Sequence, residues 1–372
     1  MKRPFIVVVL MLIALMLMPD ISEAQRKNKY RRRRGSNKRI SKYSGARKKS
    51  SGRFRPYTLV GASLNAGNYF GDLAPVNRAA STDITFTRPG FGGFIGRKIN
   101  PWVTARLNVN WVRLSASDFS SDPNGSDSNP TRYARNLSFR NDVFEAGIGL
   151  EIDFLKNTGS SNSRAPFTPY LYVGVGGFYH NPKGKVPTFD THNPDYLPND
   201  PISSPESVRF ANAGDWVALQ PLGTEGQNIE GTGVEPYSLV QFQVPIGIGF
   251  KLRLPDNFDA AIELGARYLF TDYLDDVSGS YLGLERYDDP LTRAFVDRSI
   301  EHIDVISGDA RDLNAVQQIA GGFTVVDGIR RRASFGSEGD IRGNSNDNDF
   351  YFVTQIKLSY ILGGVKTRAK FR

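Results

Sequence analysis

The sequence predicts an all-β fold: an eight-stranded antiparallel up-and-down transmembrane β-barrel with long external loops and a disordered basic N-terminal arm. Three observations predict it. Eight segments alternate apolar with polar residues at a period of two. The connections between them are alternately short and long, as in a meander of hairpins. Aromatic residues on the apolar face recur eight to ten residues apart, which at ~3.3 Å per residue and a tilt of about 40° spans roughly 20–25 Å, the height of an outer-membrane apolar band.

Ahead of the first strand lie two segments of different character. Lys2 and Arg3 precede the apolar run Phe5 to Met18, and Ser22-Glu23-Ala24 places small residues at a cleavage site. Residues 1–24 therefore read as a secretory signal peptide, too short in its apolar run for a spanning helix. Residues 25–56 hold 15 Lys or Arg and no acid. With almost no aliphatic residues, this arm cannot bury enough surface to offset chain entropy and is expected to be disordered. It reads either as a solvated tail or as an electrostatic tether to anionic lipid, peptidoglycan or an acidic partner. The tether would use Arg31, Arg32, Arg33, Arg34, Lys38, Arg39, Arg47, Lys48 and Lys49. Residues 57–372 are net −6, so the formal charge of +9 for the 372-residue chain comes from the arm. The absence of Cys excludes disulfide scaffolds, thiolate metal sites and a lipid anchor on an N-terminal Cys.

The eight strands are expected at 57–68, 88–99, 102–115, 137–155, 168–180, 237–254, 257–272 and 349–362. Lys98–Pro101, Lys156–Pro166 and Pro255–Asn257 supply the short connections. The long ones fall at 69–87, 116–136, 181–236 and 273–348, the last two being inserts within the 57–372 barrel. Pro182 to Pro205 reads as an irregular external loop. Val296 to Ala320 carries a pattern suited to short helical turns. An even strand number places both termini on the periplasmic side.

The two faces separate cleanly in several strands. Phe144, Ala146, Ile148, Leu150, Ile152 and Phe154 oppose Glu145, Gly147, Gly149, Glu151 and Asp153. A soluble barrel would turn the apolar face inward. The aromatic spacing and the length of the strands instead favour an apolar exterior. The lumen is then expected to hold a paired charge network of Arg106, Glu145, Glu151, Asp153, Lys251, Arg253, Asp259, Glu263, Arg267 and Lys357. Eight strands leave an interior that side chains fill, so a wide pore is not expected.

Four strings carry a family resemblance: Asn68–Leu73, Leu137–Glu145, Thr271–Tyr281 and Asn348–Tyr351. In this order they resemble the PorG-like outer-membrane β-barrel family of the Bacteroidetes type IX secretion and gliding machinery. The resemblance covers about 57–155 and 237–363; the basic arm and the inserts at 181–236 and 282–340 are longer than that pattern. It implies an outer-membrane anchor for a periplasmic ring built by a PorK-like lipoprotein and PorN.

Little else carries chemistry. Asp72, Asp275, Asp276, Asp347 and Asp349 are expected to meet at the loop-side mouth beside the seam of strands 7, 8 and 1. There they would cap turns, or hold an extracellular Ca²⁺ through hard oxygen ligands. His180, His192 and His302 are expected at the surface or mouth, with His180 the only candidate base for a lipid enzyme at a strand end. No P-loop, G-x-S-x-G or H-E-x-x-H string occurs. The expected protein is a non-enzymatic outer-membrane anchor without cofactor, whose partners are lipid and the periplasmic ring and not nucleic acid. A narrow small-solute channel is the alternative.

Overall fold

The computed structural model describes residues 54–73, 87–121, 130–157, 161, 164–197, 203–320, 323–326, 329–332 and 335–363. The signal peptide, the basic arm up to residue 53 and the tail from 364 lie outside the described residues.

Eight long strands form the wall: β1 (Tyr57–Phe70), β2 (Arg88–Lys98), β3 (Val103–Ser117), β4 (Ser138–Asp153) and β5 (Phe167–Tyr179) come first. Two short strands follow, β6 (Lys183–Lys185) and β7 (Trp216–Ala218). β8 (Val240–Arg253), β9 (Phe258–Leu269) and β12 (Phe350–Leu362) complete the wall. Between β9 and β12 a separate hairpin joins β10 (Phe323–Val326) to β11 (Ile329–Arg332). The wall runs β3-β2-β1-β12-β9-β8-β5-β4, every pair antiparallel, and β3 pairs with β4 to close it. The molecule is a closed eight-stranded up-and-down barrel, so the wall has no free sheet edge.

Local chemistry explains the tight turns. Asp256 and Asn257 both take positive φ, 55° and 68°. Two such residues in succession give the turn whose twist matches the flanking strands, and Asp and Asn tolerate it. Between β2 and β3, Asn100 Oδ1 accepts from the amides of Trp102 and Val103, each at 2.8 Å. These turns, the start of β1 and the end of β12 share one rim of the barrel.

The opposite rim carries the long connections, and they fold over it. Short helices at Asp118–Ser121 and Pro130–Arg135 follow β3, and others at Pro290–Val296 and Leu313–Ile319 lie in the last connection. The expected helical stretch Val296–Ala320 contains the last of these and touches the third only at its final residue. The stretch Pro182–Pro205, expected to be irregular, contributes β6, which pairs with β7 and continues the wall above β4 through Arg140 opposite Lys183.

Candidate functional site

The outer face of the barrel is apolar and bare. Leu64, Phe242 and Ile356, on three different strands, are 70%, 76% and 62% exposed. Phe144, Val175, Ile248, Leu264 and Tyr268 are exposed beside them. Such a surface is costly to hydrate and far exceeds the patches soluble monomers show. Aromatic pairs frame it at both ends: Phe70 stacks on Phe350 at 5.1 Å and Phe91 meets Trp111 at 5.0 Å near the long-loop rim. Phe167 stacks on Phe250 at 5.5 Å and Phe258 meets Tyr360 at 5.0 Å near the short-turn rim. Among the described residues no helix is long and apolar enough to cross a membrane.

The lumen is a chain of ion pairs. Glu263 is its hub: Arg106 donates to both its oxygens at 2.9 and 3.0 Å, Lys357 lies 2.5 Å away and Tyr170 donates at 2.9 Å. Arg106 also reaches Glu151 at 3.1 Å and covers the Tyr172 ring at 3.9 Å. Lys251 bridges Glu151 and Asp153 at 2.6 and 2.5 Å. Higher up, Glu145 accepts from Arg267, Asn110 and Tyr351. Buried carboxylates and cations need such saturation, since an unpaired charge in a dry interior is costly.

Nine of the ten residues expected in this network are in it. Arg253 is not: it is exposed at the short-turn rim and donates to the Arg164 carbonyl at 3.1 Å. Its place beside Asp259 is taken by Arg164 (3.0 Å), which comes from a turn. Lys98, at the end of β2, also enters, 2.5 Å from Asp153. Sequence reading misses both because one lies outside any alternating segment and the other ends a Gly-rich one. The glycines of the polar face have a packing role. A Cβ at Gly249 would overlap Tyr170 Cζ, and one at Gly149 would sit 2.6 Å from Tyr172 Oη. Bare backbone there makes room for the two phenol rings. The cavity left at the short-turn end of the lumen is about 40 Å³, lined among others by Tyr57, Arg106, Glu151, Lys251 and Asp259.

Toward the long-loop rim the faces exchange character. On β3 the inward row that begins with Thr104, Arg106, Asn108 and Asn110 continues as Val112, Leu114 and Ala116, all three buried. On β4 the inward row becomes Val143 and Phe139, while the outward row becomes Asp142 and Arg140. With Phe178, Leu269 and Val353 from the wall, and Leu73, Leu137, Leu274 and Val277 from the loops, these form one apolar plug. The wall here is polar and charged outside and backs onto a hydrophobic core inside.

Buried arginines tie the roof to that plug. Arg342 donates to Glu225 at 2.9 Å and to the Asp276 carbonyl at 2.6 Å. Arg135 makes a two-point pair with Asp118 and donates to the carbonyls of Asp72 and Arg342. Arg311 donates to the carbonyls of Ser299, Glu301 and Tyr133. Guanidinium suits this work because one planar group serves several acceptors.

The five expected mouth aspartates do not meet at one point. Asp275 and Asp349 both hydrogen-bond the Tyr69 hydroxyl, each at 2.7 Å. Asp276 accepts from Thr224 and Tyr237, both at 2.6 Å. Asp72 accepts from the Asn344 amide, and Asp347 from the exposed Asn344 side chain. Among the described residues no group of three His, Asp or Glu is arranged to hold a metal ion. Asp275, Asp349 and Asp72 accept the backbone amides of Val277, Leu274 and Asn344, as capping residues do, while Asp276 and Asp347 bind side chains.

The histidines also differ from expectation. His180 and His192 are buried, and only His302 is partly exposed. His180 Nε2 lies 3.2 Å from the Ser238 carbonyl, its ring stacks on Tyr237, and burial pushes its pKa down to about 4. It faces no open rim where a lipid could reach it.

The chain matches the family described as a domain of unknown function (DUF6089) over residues 57–193. Among solved structures it is similar to a major outer membrane protein of Thermus thermophilus, at 11% identity and a TM-score of 0.31, covering 82% of this chain and 99% of that one. It is also similar to neisserial surface protein A (9%, TM-score 0.30, 82% and 96%) and to OprG of Pseudomonas aeruginosa (8%, TM-score 0.30, 83% and 97%). No curated protein matches it.

Proposed function

We propose that the chain is a non-enzymatic outer-membrane barrel that anchors a periplasmic assembly. The observation that carries the reading is the polarity of the wall: bare apolar side chains outside, paired charges inside. Only a lipid surround makes that distribution favourable, and a closed barrel leaves no unpaired backbone in the hydrocarbon. The plugged mouth and the 40 Å³ remnant in the lumen support an anchor over a small-solute channel.

The start of β1 and the end of β12 lie at the short-turn rim, which in this reading faces the periplasm. The basic arm leads into Tyr57 on that side and is the tether. The resemblance to the PorG-like family names the ring of the type IX secretion machinery, with PorK-like and PorN-like components, as the assembly. Crosslinking in the native envelope, read by mass spectrometry of the partners, tests it. Recovery of ring components, lost when 25–56 is deleted and weakened as salt rises, is the expected result. Full, salt-independent attachment without the arm would overturn the tether, and steady bilayer conductance would favour the channel.

A further inference from the structure

The exchange of faces at the long-loop rim leaves a row of cations just above the lipid-facing aromatics. Trp111 on β3, Phe144 on β4 and Tyr179 on β5 are partners in register and all point outward. One step higher, Arg113 pairs with Asp142, with contacts of 2.7 and 3.1 Å. One step higher again, Arg140 lies directly opposite Lys183 of β6. By ~3.3 Å per residue and about 40° of tilt, Arg140 stands roughly 10 Å above Phe144, the depth of a lipid headgroup layer.

Arg140 and Lys183 make no ion pair among the described residues. Two like charges opposed across a strand pair repel one another. The Arg140 guanidinium lies 4.2 Å from the Trp216 ring centre, its Nε is buried without a hydrogen-bond partner, and Arg113 stands on the neighbouring strand. The reverse side of this extension cannot supply the missing charge. A Cβ at Gly184, between Lys183 and Lys185, would meet Phe295 and Leu219 of the apolar roof. The cationic side is therefore the outer one, continuous with the lipid-facing wall below it.

We propose that Arg140 and Lys183, with Arg113 and Trp216, form a binding site for a phosphate-bearing lipid headgroup of the outer leaflet. The two cations hold the phosphate oxygens, the indole lies at the headgroup level, and the acyl chains run down over Trp111, Phe144 and Tyr179. The guanidinium fork matches phosphate oxygens in pairs, and the ammonium adds a point charge. This proposal rests on the membrane reading above.

The test uses the full mature chain in vesicles of phosphatidylcholine alone and of phosphatidylcholine mixed with lipid A. Native mass spectrometry after mild extraction reads the lipid A retained per barrel. Wild type is expected to retain lipid A. The R140Q/K183Q variant is expected to lose about fivefold for each cation removed, while R140K/K183R retains it. K156Q, which removes a cation at the opposite rim, leaves retention unchanged. Equal retention by wild type and R140Q/K183Q would overturn the proposal, as would full displacement of lipid A by inorganic phosphate. Insertion is scored separately in phosphatidylcholine alone, by protease protection of the wall. If every variant inserts and lipid A retention is the same, only the headgroup site fails. If wild type itself does not insert, the membrane reading fails and takes the site with it.

Discussion

Asp275 and Asp349 share one hydroxyl: Tyr69 Oη lies 2.7 Å from an oxygen of each. A phenol has one proton to donate and cannot satisfy two ionised acceptors at once. One of the two carboxyls must carry a proton of its own and donate it back to the phenol. The arrangement joins β1, the β9–β12 connection and the start of β12 through one phenol oxygen that donates one hydrogen bond and accepts another.

The carboxyl proton gives the fold a pH dependence with a definite sign. Burial raises the Asp349 pKa to about 7 and holds Asp275 well above the carboxylate range; Asp72 stands close by and adds to the repulsion. A carboxyl with a raised folded pKa stabilises fully below its unfolded pKa of about 3.9 and loses that contribution as pH rises through the folded pKa. The melting midpoint in micelles should therefore fall between about pH 5 and pH 8. D349N, which cannot ionise, should flatten that slope. A midpoint that rises over the same range would contradict the protonated carboxyl.

Glu263 holds Arg106, Lys357 and Tyr170 together inside the wall. E263Q leaves two buried cations short of a counter-charge, and breaking such a pair costs about 3–5 kcal/mol. R286Q removes an exposed pair at 3.6 Å with Glu338 and should cost less than about 1 kcal/mol. Urea unfolding of the vesicle-inserted barrel measures both.

Gly249 and Tyr170 occupy one space. G249A drives a methyl into the phenol ring, and overpacking of this kind costs about 1–3 kcal/mol. Y170A in the same chain should recover part of the loss introduced by G249A, a coupling that a double-mutant cycle reads directly. Additive losses would show that the ring moves away freely.

Arg342 keeps the roof shut. R342Q removes its pair with Glu225, which accepts the amides of Ser278 and Gly279. Hydrogen exchange at those two amides should accelerate by at least an order of magnitude, roughly the loss of a buried charged hydrogen bond, while amides in the middle of β4 and β9 stay protected.

The wall is legible in the sequence because a half-exposed strand writes its two faces at alternate positions. β8, expected at 237–254, runs Val240–Arg253; β12, expected at 349–362, runs Phe350–Leu362. The exchange of faces after Trp111 is also written there, since Val112 and Leu114 fall on the row of Arg106, but it reads as noise until the height of the wall is known. The roof is not legible. Arg342 meets Glu225 across more than a hundred residues, and Arg311 meets Tyr133 across a still longer span, so no local pattern announces either. The five aspartates fall at the expected rim, yet which oxygen meets which donor depends on loop paths that residue type does not fix.

The membrane anchor depends on which side of the wall meets lipid, and the Cys-free chain allows a direct measurement. Single-cysteine variants L64C, I248C, I356C and Q355C carry a fluorophore in bilayers of core-brominated lipid. The first three project outward and Gln355 projects into the lumen, 2.9 Å from Asn65 Oδ1. Strong quenching at L64C, I248C and I356C with little at Q355C is the predicted result. Quenching of Q355C alone, or free labelling of I248C by a water-soluble maleimide in intact bilayers, would contradict it.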